Sequence, residues 1–187
     1  MWKNISRAFI LLISLTLLTG VVYPLAVTGL AQLFFPNQAN GSLVDRNGKL
    51  AGSFLIGQNF DSPRYFHGRP SATDYNGMGS GGSNMAPTNR ELLRLIKERV
   101  AKIRQENQLP AAQPVPSDLV TASASGLDPH ISPQGALLQV PRVARVRGLQ
   151  ADQVRQLVDK NIEKPFLGIF GTSRVNVLRL NIALDSL

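Results

Sequence analysis

Three side chains that could perform hydrolysis lie within six residues of one another: Ser125, Asp128 and His130. A serine, a histidine and an acid serve as nucleophile, base and orienting group in many hydrolases. Such triads gather their members from separate elements, whereas Gly126 and the Asp128-Pro129 pair favour a tight turn with side chains bonded to local backbone. The segment is therefore predicted to be a structural turn that His130 caps or cross-links. A membrane-anchored hydrolase is the alternative.

A glycine-rich stretch at residues 77–82 matches the G-x-G-x-x-G pattern and precedes a predicted helix. A dinucleotide site requires a strand that leads directly into the glycines, but residues 69–76 are polar and turn-like. No G-K-[ST] sequence follows, so the lysine of a P-loop is absent. We interpret the stretch as a loop in which glycine supplies positive φ, rather than as a phosphate site.

The chain contains no cysteine and only two histidines, His67 and His130. Disulfides, thiolate ligands and a cysteine nucleophile are thereby excluded. The two histidines lie in unrelated segments without the close ligand spacing of zinc sites. We therefore expect no metal site and a fold that packing alone holds together.

An apolar run at residues 8–35 has 28 residues without a charged side chain. As a helix it would be about 42 Å long, more than the roughly 30 Å hydrocarbon core of a bilayer. It also exceeds the apolar region of a cleaved signal peptide. The sequence predicts an uncleaved transmembrane helix, in which Gly20, Pro24 and Gly29 mark a kink or a close helix neighbour, unless they are simply the small residues common in membrane helices.

The charges around this run predict its orientation. Lys3 and Arg7 lie on its N-terminal flank, so the positive-inside rule puts the N-terminus in the cytoplasm. Residues 1–35 would form the cytoplasmic tip and span, and residues 36–187 one soluble domain outside the inner membrane. That domain has 18 Lys and Arg against 12 Asp and Glu, a net +6, which favours anionic lipid or an acidic protein surface as partner, and not nucleic acid.

Within residues 36–187, alternating and helical patterns of apolar residues predict a mixed fold of helices and strands. Thr88 and Glu91 form a capping box before a helix whose basic face is either solvated or anion-binding. Ser132-Pro133 begins another helix, which Pro141 kinks or splits. The predicted elements are a strand at 49–60, a loop at 61–87, helices at 88–105, 132–147 and 151–161, and strands at 119–122 and 175–180. This order is that of an α+β or α/β domain, with the sheet topology left open.

Several blocks of the sequence are typical of one family. Together with the N-terminal span, they closely resemble the C subunit of the bacterial potassium-transporting ATPase, the KdpC family. The blocks are residues 56–60, 65–72, 80–84, 118–133, 139–144 and 175–181.

The resemblance implies an accessory subunit of a P-type potassium pump that is not an enzyme by itself. In that family a channel-like subunit carries K⁺, a P-type subunit hydrolyses ATP, and a very small peptide stabilises the complex. The C subunit is needed for the working complex and is described as a catalytic chaperone that raises ATP affinity. Direct ATP binding is less favoured here, because the predicted orientation faces away from cytoplasmic ATP. A brace at the external potassium entrance is preferred.

Two sets of site residues follow. The docking or entrance-facing candidates are Tyr65, Phe66, His67, Arg69, Ser83 and Asn84. The nucleotide-related or docking candidates are Ser123, Ser125, Gly126, Asp128, His130 and Gln139, the last because the family's proposed nucleotide contact is a glutamine in a comparable helix. These segments could equally serve only to lock the fold. A free-standing binding module is the remaining alternative.

Overall fold

The structure is a computed structural model that describes residues 1–46 and 48–187. The chain divides into two compact units, Met1–Leu43 and Val44–Leu187. The short helix α3 (Pro36–Ala39) therefore belongs to the first unit, beyond the predicted boundary at residue 35. Two amide hydrogen bonds of 3.2 and 3.3 Å between Gln32 and Asn40 hold it against the preceding helix.

The first unit is dominated by one long apolar helix, Trp2–Phe34, in which an 18-residue window has a mean hydropathy of 2.3. In the described part of the chain it is the one helix long and apolar enough to cross a membrane. It consists of α1 (Trp2–Leu17), a wider π-helical turn (Leu18–Val22) and α2 (Tyr23–Phe34). Pro24 explains the wide turn, because proline lacks an N–H and its ring crowds the carbonyl four residues earlier.

The second unit is a small α+β domain, as predicted. Its strands are β1 (Leu43–Arg46), β2 (Lys49–Ser53), β3 (His130–Ile131), β4 (Ile162–Glu163) and β5 (Arg174–Asn176). Its helices are α4 (Arg90–Asn107), α5 (Pro133–Arg147), α6 (Ala151–Lys160) and α7 (Val177–Leu184). Strands β1 and β2 form a two-stranded sheet, and β5 lies between β3 and β4 in an antiparallel sheet.

The core lies between the three-stranded sheet and helices α5, α6 and α7. Helix α5 begins as predicted, because the Ser132 hydroxyl accepts a 2.9 Å hydrogen bond from the Gly135 N–H and Pro133 occupies the first turn. It ends at Gly148, whose φ of +69° is the left-handed conformation of a helix terminus. Pro141 does not split it, so that alternative was wrong: α5 is one continuous helix, and a kink at Pro141 stays a prediction.

Three predicted strands were wrong in whole or in part. The strand at 49–60 ends at Ser53, and residues 119–122 contain no strand, since Leu119 ends a short helical turn, Ser117–Leu119. The strand at 175–180 ends at Asn176, whose side chain accepts a 3.1 Å hydrogen bond from the Arg179 N–H and so begins α7. The aliphatic run fits both periods, since Val177, Leu180 and Leu184 are buried at helical spacing.

The capping box at Thr88 and Glu91 was also wrong. The cap of α4 is Asn89, whose side-chain oxygen accepts hydrogen bonds of 2.8 and 3.4 Å from the N–H groups of Glu91 and Leu92. The predicted helix itself is confirmed, as are the helix at 151–161 and the loop at 61–87, which contains no helix or strand.

Candidate functional site

Two long segments of the second unit, residues 57–82 and 123–130, pack backbone against backbone, and we call them the interlocked loops. The Gly57 N–H donates to the Leu127 carbonyl at 2.7 Å, and the Gly81 N–H donates to the Ser125 carbonyl at 2.9 Å. Most of the family-like blocks fall on these loops. Backbone hydrogen bonds therefore join the two loops although they form no sheet.

The segment 123–130 is a structural turn, as predicted. The Ser125 hydroxyl accepts a 3.1 Å hydrogen bond from the Leu127 N–H, and the Asp128 carboxylate accepts one of 3.0 Å from the His130 N–H. Ser123 is buried, with its hydroxyl 3.4 Å from that of Ser125. In the part of the chain that the structure describes, no hydrogen bond joins Ser125 to His130. The three side chains therefore lack the nucleophile-to-base contact of a triad.

Glycine is required in these loops mainly because the backbones approach so closely. Gly126 has a φ of +68°, and a Cβ there would lie 2.6 Å from the Thr73 hydroxyl and 2.7 Å from the Gly81 carbonyl oxygen. The glycine-rich stretch at 77–82 is a loop, but none of its glycines has the expected positive φ. That part of the prediction was wrong: Gly82 instead allows contact with Ala124, whose carbonyl oxygen would lie 3.1 Å from an added Cβ.

An ion pair also joins the two interlocked loops. The Arg69 guanidinium donates to the Asp128 carboxylate at 3.0 Å and also reaches the Thr121 and Ala122 carbonyls. Burial of the Asp128 carboxylate, the largest influence, raises its pKa, but hydrogen bonds from His130 and Arg69 outweigh it and hold the pKa at about 2. Asp128 is therefore an anion at physiological pH and an anchor for the turn.

The segment around Phe66 and His67 is gripped by two buried amide side chains. Asn181, on α7, accepts a 2.9 Å hydrogen bond from the Phe66 N–H and donates one of 2.9 Å to the Phe66 carbonyl. Gln139, on α5, does the same for His67, at 2.8 and 3.1 Å. Each amide thus imitates a neighbouring strand, and we call this arrangement the amide clamp.

Arg142 is a third buried side chain that binds the segment held by the amide clamp. Its side chain is buried, and it donates to the Pro63 and Tyr65 carbonyls at 2.6 and 3.0 Å and to the amide oxygens of Gln139 and Asn107 at 2.7 and 3.0 Å. Burial lowers the pKa of Arg142 to about 10, which still leaves it charged at neutral pH. A buried cation satisfied by carbonyl groups fixes this loop in one conformation.

A cleft of about 310 Å³ lies beside the amide clamp. Its lining includes the candidates His67, Arg69 and Gln139 and the charged residues Arg99, Lys102, Glu106, Asp61 and Asp74. The Gln139 amide forms the floor, and its oxygen and nitrogen each already make two hydrogen bonds within the protein. Both signs of charge line the cleft, so its field does not select an anion.

The structure brings most of the predicted site residues together but leaves two apart. Tyr65, Phe66, His67 and Gln139 share the amide clamp, whereas Ser83 and Asn84 lie exposed at the end of the loop. Sequence reasoning missed Arg142, Asn181 and Asn107. The available signal was three strongly polar residues at inward positions of amphipathic helices, which indicates buried hydrogen-bonding partners.

The comparisons with known proteins agree on one family. The model of the family KdpC, described as the c chain of the K⁺-transporting ATPase, matches residues 5–186. A potassium-transporting ATPase KdpC subunit from Polaromonas naphthalenivorans is 60% identical, with 99% of this chain and 96% of that protein covered. The subunits of the same name from Rhodopseudomonas palustris strain TIE-1 and Cereibacter sphaeroides are 54% and 50% identical, each with 100% of this chain and 98% of the relative covered. The chain therefore belongs to the KdpC family of subunits of the K⁺-transporting ATPase.

Proposed function

We propose that this chain is an accessory, non-catalytic subunit that braces a potassium-transporting P-type ATPase in a form competent for uptake. The observation that carries the proposal is that polar side chains in the interlocked loops and the amide clamp already form hydrogen bonds within the protein. Each of Ser125, Asp128 and Gln139 is used to hold backbone. A rigid scaffold with no free nucleophile-base pair suits a structural partner better than an enzyme.

The proposed partners are the channel-like subunit, the ATP-hydrolysing subunit and the small peptide subunit of the same pump. Lys3 and Arg7 support a cytoplasmic N-terminus, so the second unit would lie outside the inner membrane near the potassium entrance. There the apolar helix packs among the membrane helices of the pump, and the rigid loops present a fixed surface.

The docking surface in this proposal is the exposed stretch that directly follows residue 82 of the interlocked loops. Ser83 and Asn84 are exposed, and the backbone before them is fixed to the turn at residues 123–126. Tyr65, Phe66 and His67 then act indirectly, because they set the shape of the loop from within. Loops on a rigid scaffold are where binding residues usually lie.

A role in raising the ATP affinity of the pump, as a catalytic chaperone, fits this scheme without direct contact with ATP. The Gln139 amide has no free hydrogen-bonding capacity to offer a nucleotide, and the glycine-rich stretch uses its Gly81 N–H on Ser125. We therefore assign the effect on ATP affinity to stabilisation of the assembled pump. If Gln139→Ala changes the ATP dependence of the pump at an unchanged melting temperature, direct contact is the better explanation.

The test is assembly and activity of the pump with altered subunits. Ser83→Arg with Asn84→Arg should reduce co-purification with the other subunits and potassium-stimulated ATP hydrolysis together, whereas the exposed pair Asp152→Arg with Asp159→Arg on α6 should leave both unchanged. Deletion of residues 1–35 measures the contribution of the span. Full assembly and activity of the loop variant would remove the loops from the interface.

The hydrolase alternative makes an opposite prediction. It requires the full-length chain alone to hydrolyse an ester or amide, and it requires His130→Ala to abolish that activity. A brace shows no such turnover, and His130→Ala then acts only through the stability of the turn.

A further inference from the structure

A tight hairpin at residues 165–171 exposes four large apolar side chains at once. Phe166 is 72% exposed, Leu167 73%, Ile169 79% and Phe170 64%. Single exposed apolar residues are common, but a contiguous group marks a surface that another apolar medium covers. The hairpin lies in none of the segments assigned above to docking.

The hairpin satisfies its own backbone. Phe166 and Phe170 exchange two hydrogen bonds of 2.9 Å, the Gly168 N–H donates to the Pro165 carbonyl at 3.0 Å, and the Ile169 N–H donates to the Phe166 carbonyl at 3.2 Å. Four of the five N–H groups from Phe166 to Phe170 are therefore paired within the hairpin. Backbone that enters lipid must be paired internally, because lipid offers no partner.

Two lysines precede the hairpin in the sequence. Lys164 precedes it directly and Lys160 ends α6; within residues 1–46 and 48–187 neither lysine forms an ion pair. The nearby Arg174 and Arg179 both pair with Glu163, at 3.1 and 3.3 Å, so that carboxylate does not neutralise the lysines. Apolar tips with lysines set behind them fit a bilayer surface, where the ammonium groups reach anionic headgroups.

We propose that the hairpin tip at residues 166–170 inserts into the interfacial region of an anionic bilayer, with Lys160 and Lys164 at its phosphate groups. Beside the apolar helix, the chain then has a second and shallower membrane contact, of the depth typical of interfacial segments. This contact holds the second unit against the membrane surface. It is independent of the proposed role in the pump.

The absence of cysteine from the sequence makes a direct test possible. Leu167→Cys is labelled with an environment-sensitive fluorophore, and the full-length chain is reconstituted into vesicles of phosphatidylglycerol and phosphatidylcholine that contain a lipid spin-labelled near the headgroup. The matched control is Met78→Cys, at an apolar residue 97% exposed on a different loop. We expect the spin label to quench the probe at 167 and not the probe at 78.

Lysine variants test the headgroup contact. Lys160→Gln and Lys164→Gln should each reduce the preference of the tip for anionic over neutral vesicles roughly fivefold, and Lys97→Gln, an exposed control on α4, should not. An unchanged melting temperature of each lysine variant shows that it is folded. A probe at 167 that stays as accessible as the probe at 78 in both vesicle types would overturn the proposal. So would a probe protected only when the other pump subunits are present, since the hairpin would then be a protein interface.

Discussion

Two segments of the second unit have similar sequences and opposite surroundings. Residues 65–68 read Tyr-Phe-His-Gly and residues 165–168 read Pro-Phe-Leu-Gly. Phe66 is fully buried, at 0% exposure, whereas Phe166 is 72% exposed. An aromatic residue two positions before a glycine thus does not determine whether the side chain belongs to the core.

The difference lies in what holds the backbone of each segment. Phe66 and His67 are bonded by Asn181 and Gln139, which lie 115 and 72 residues further along the chain. Within residues 1–46 and 48–187, the hairpin's backbone hydrogen bonds are all internal and join residues at most four positions apart. Distant polar partners allow a loop to be buried, because its N–H and C=O groups keep their hydrogen bonds when water is removed. A loop without such partners stays at the surface.

The largest expected effect comes from truncating the two phenylalanines. Phe66→Ala should lower the free energy of unfolding by about 3–5 kcal/mol, because it removes a fully buried ring and leaves a cavity. Phe166→Ala should change it by less than about 0.5 kcal/mol, since the ring is in solvent. Chemical denaturation of the full-length chain in detergent measures both. Equal losses of unfolding free energy would show that Phe166 is packed as Phe66 is, so that the two segments would not differ in burial.

Removal of the buried cation is expected to have the next largest effect. Arg142→Met keeps the volume but deprives the Pro63 and Tyr65 carbonyls of their donor, which should cost about 2–4 kcal/mol. Arg145→Met on the same helix is the control, because Arg145 is exposed and donates to the exposed side chain of Gln108. A more stable Arg142→Met variant would mean that the cost of burying the charge exceeds its hydrogen bonds.

The two segments also show which parts of the structure could be predicted from the sequence. The apolar helix, the Ser132 cap of α5 and the turn around Asp128 were predicted, because each depends on residues a few positions apart. The amide clamp was not, because Asn181 takes its role from a segment more than a hundred residues away. The start of α7 was missed although its Asn176 cap is local, because the aliphatic run that follows fits the periods of a strand and of a helix alike. Local patterns determine local elements, whereas burial of a loop depends on tertiary partners.

Two glycines with positive φ distinguish the cost of that backbone conformation from the cost of a steric collision. Gly126→Ala should lower the free energy of unfolding by about 2–4 kcal/mol, because it adds a collision with Thr73 and Gly81 to the cost of a positive φ. Gly168 has a φ of +74° in the hairpin, but a Cβ there meets nothing within 4 Å. Gly168→Ala should therefore cost only about 1 kcal/mol. Similar losses at the two positions would remove close packing from the account of the interlocked loops.

The smallest expected effect is the response of the interlocked loops to acid. The pKa of Asp128 in the folded chain, about 2, lies below the roughly 3.9 of an unfolded aspartate. The carboxylate therefore contributes stability above about pH 4, and this contribution is lost as the pH falls toward 2. Asp128→Asn should lower the melting temperature at pH 7 and flatten its decline between pH 4 and 2.

The control for this acid response is Asp159→Asn, since Asp159 is exposed on α6 and makes no ion pair in the described residues. Its melting curve should keep the decline of the unaltered chain. Asp185 also has a lowered pKa, because hydrogen bonds from Arg46, Arg147 and Tyr65 outweigh the effect of burial, so some acid sensitivity remains in every variant. If Asp128→Asn leaves the slope unchanged, the Arg69 pair adds nothing to folding. The two loops are then joined by their backbone hydrogen bonds and by those of the Ser71 and Ser80 hydroxyls to the Gly126 and Ser125 carbonyls.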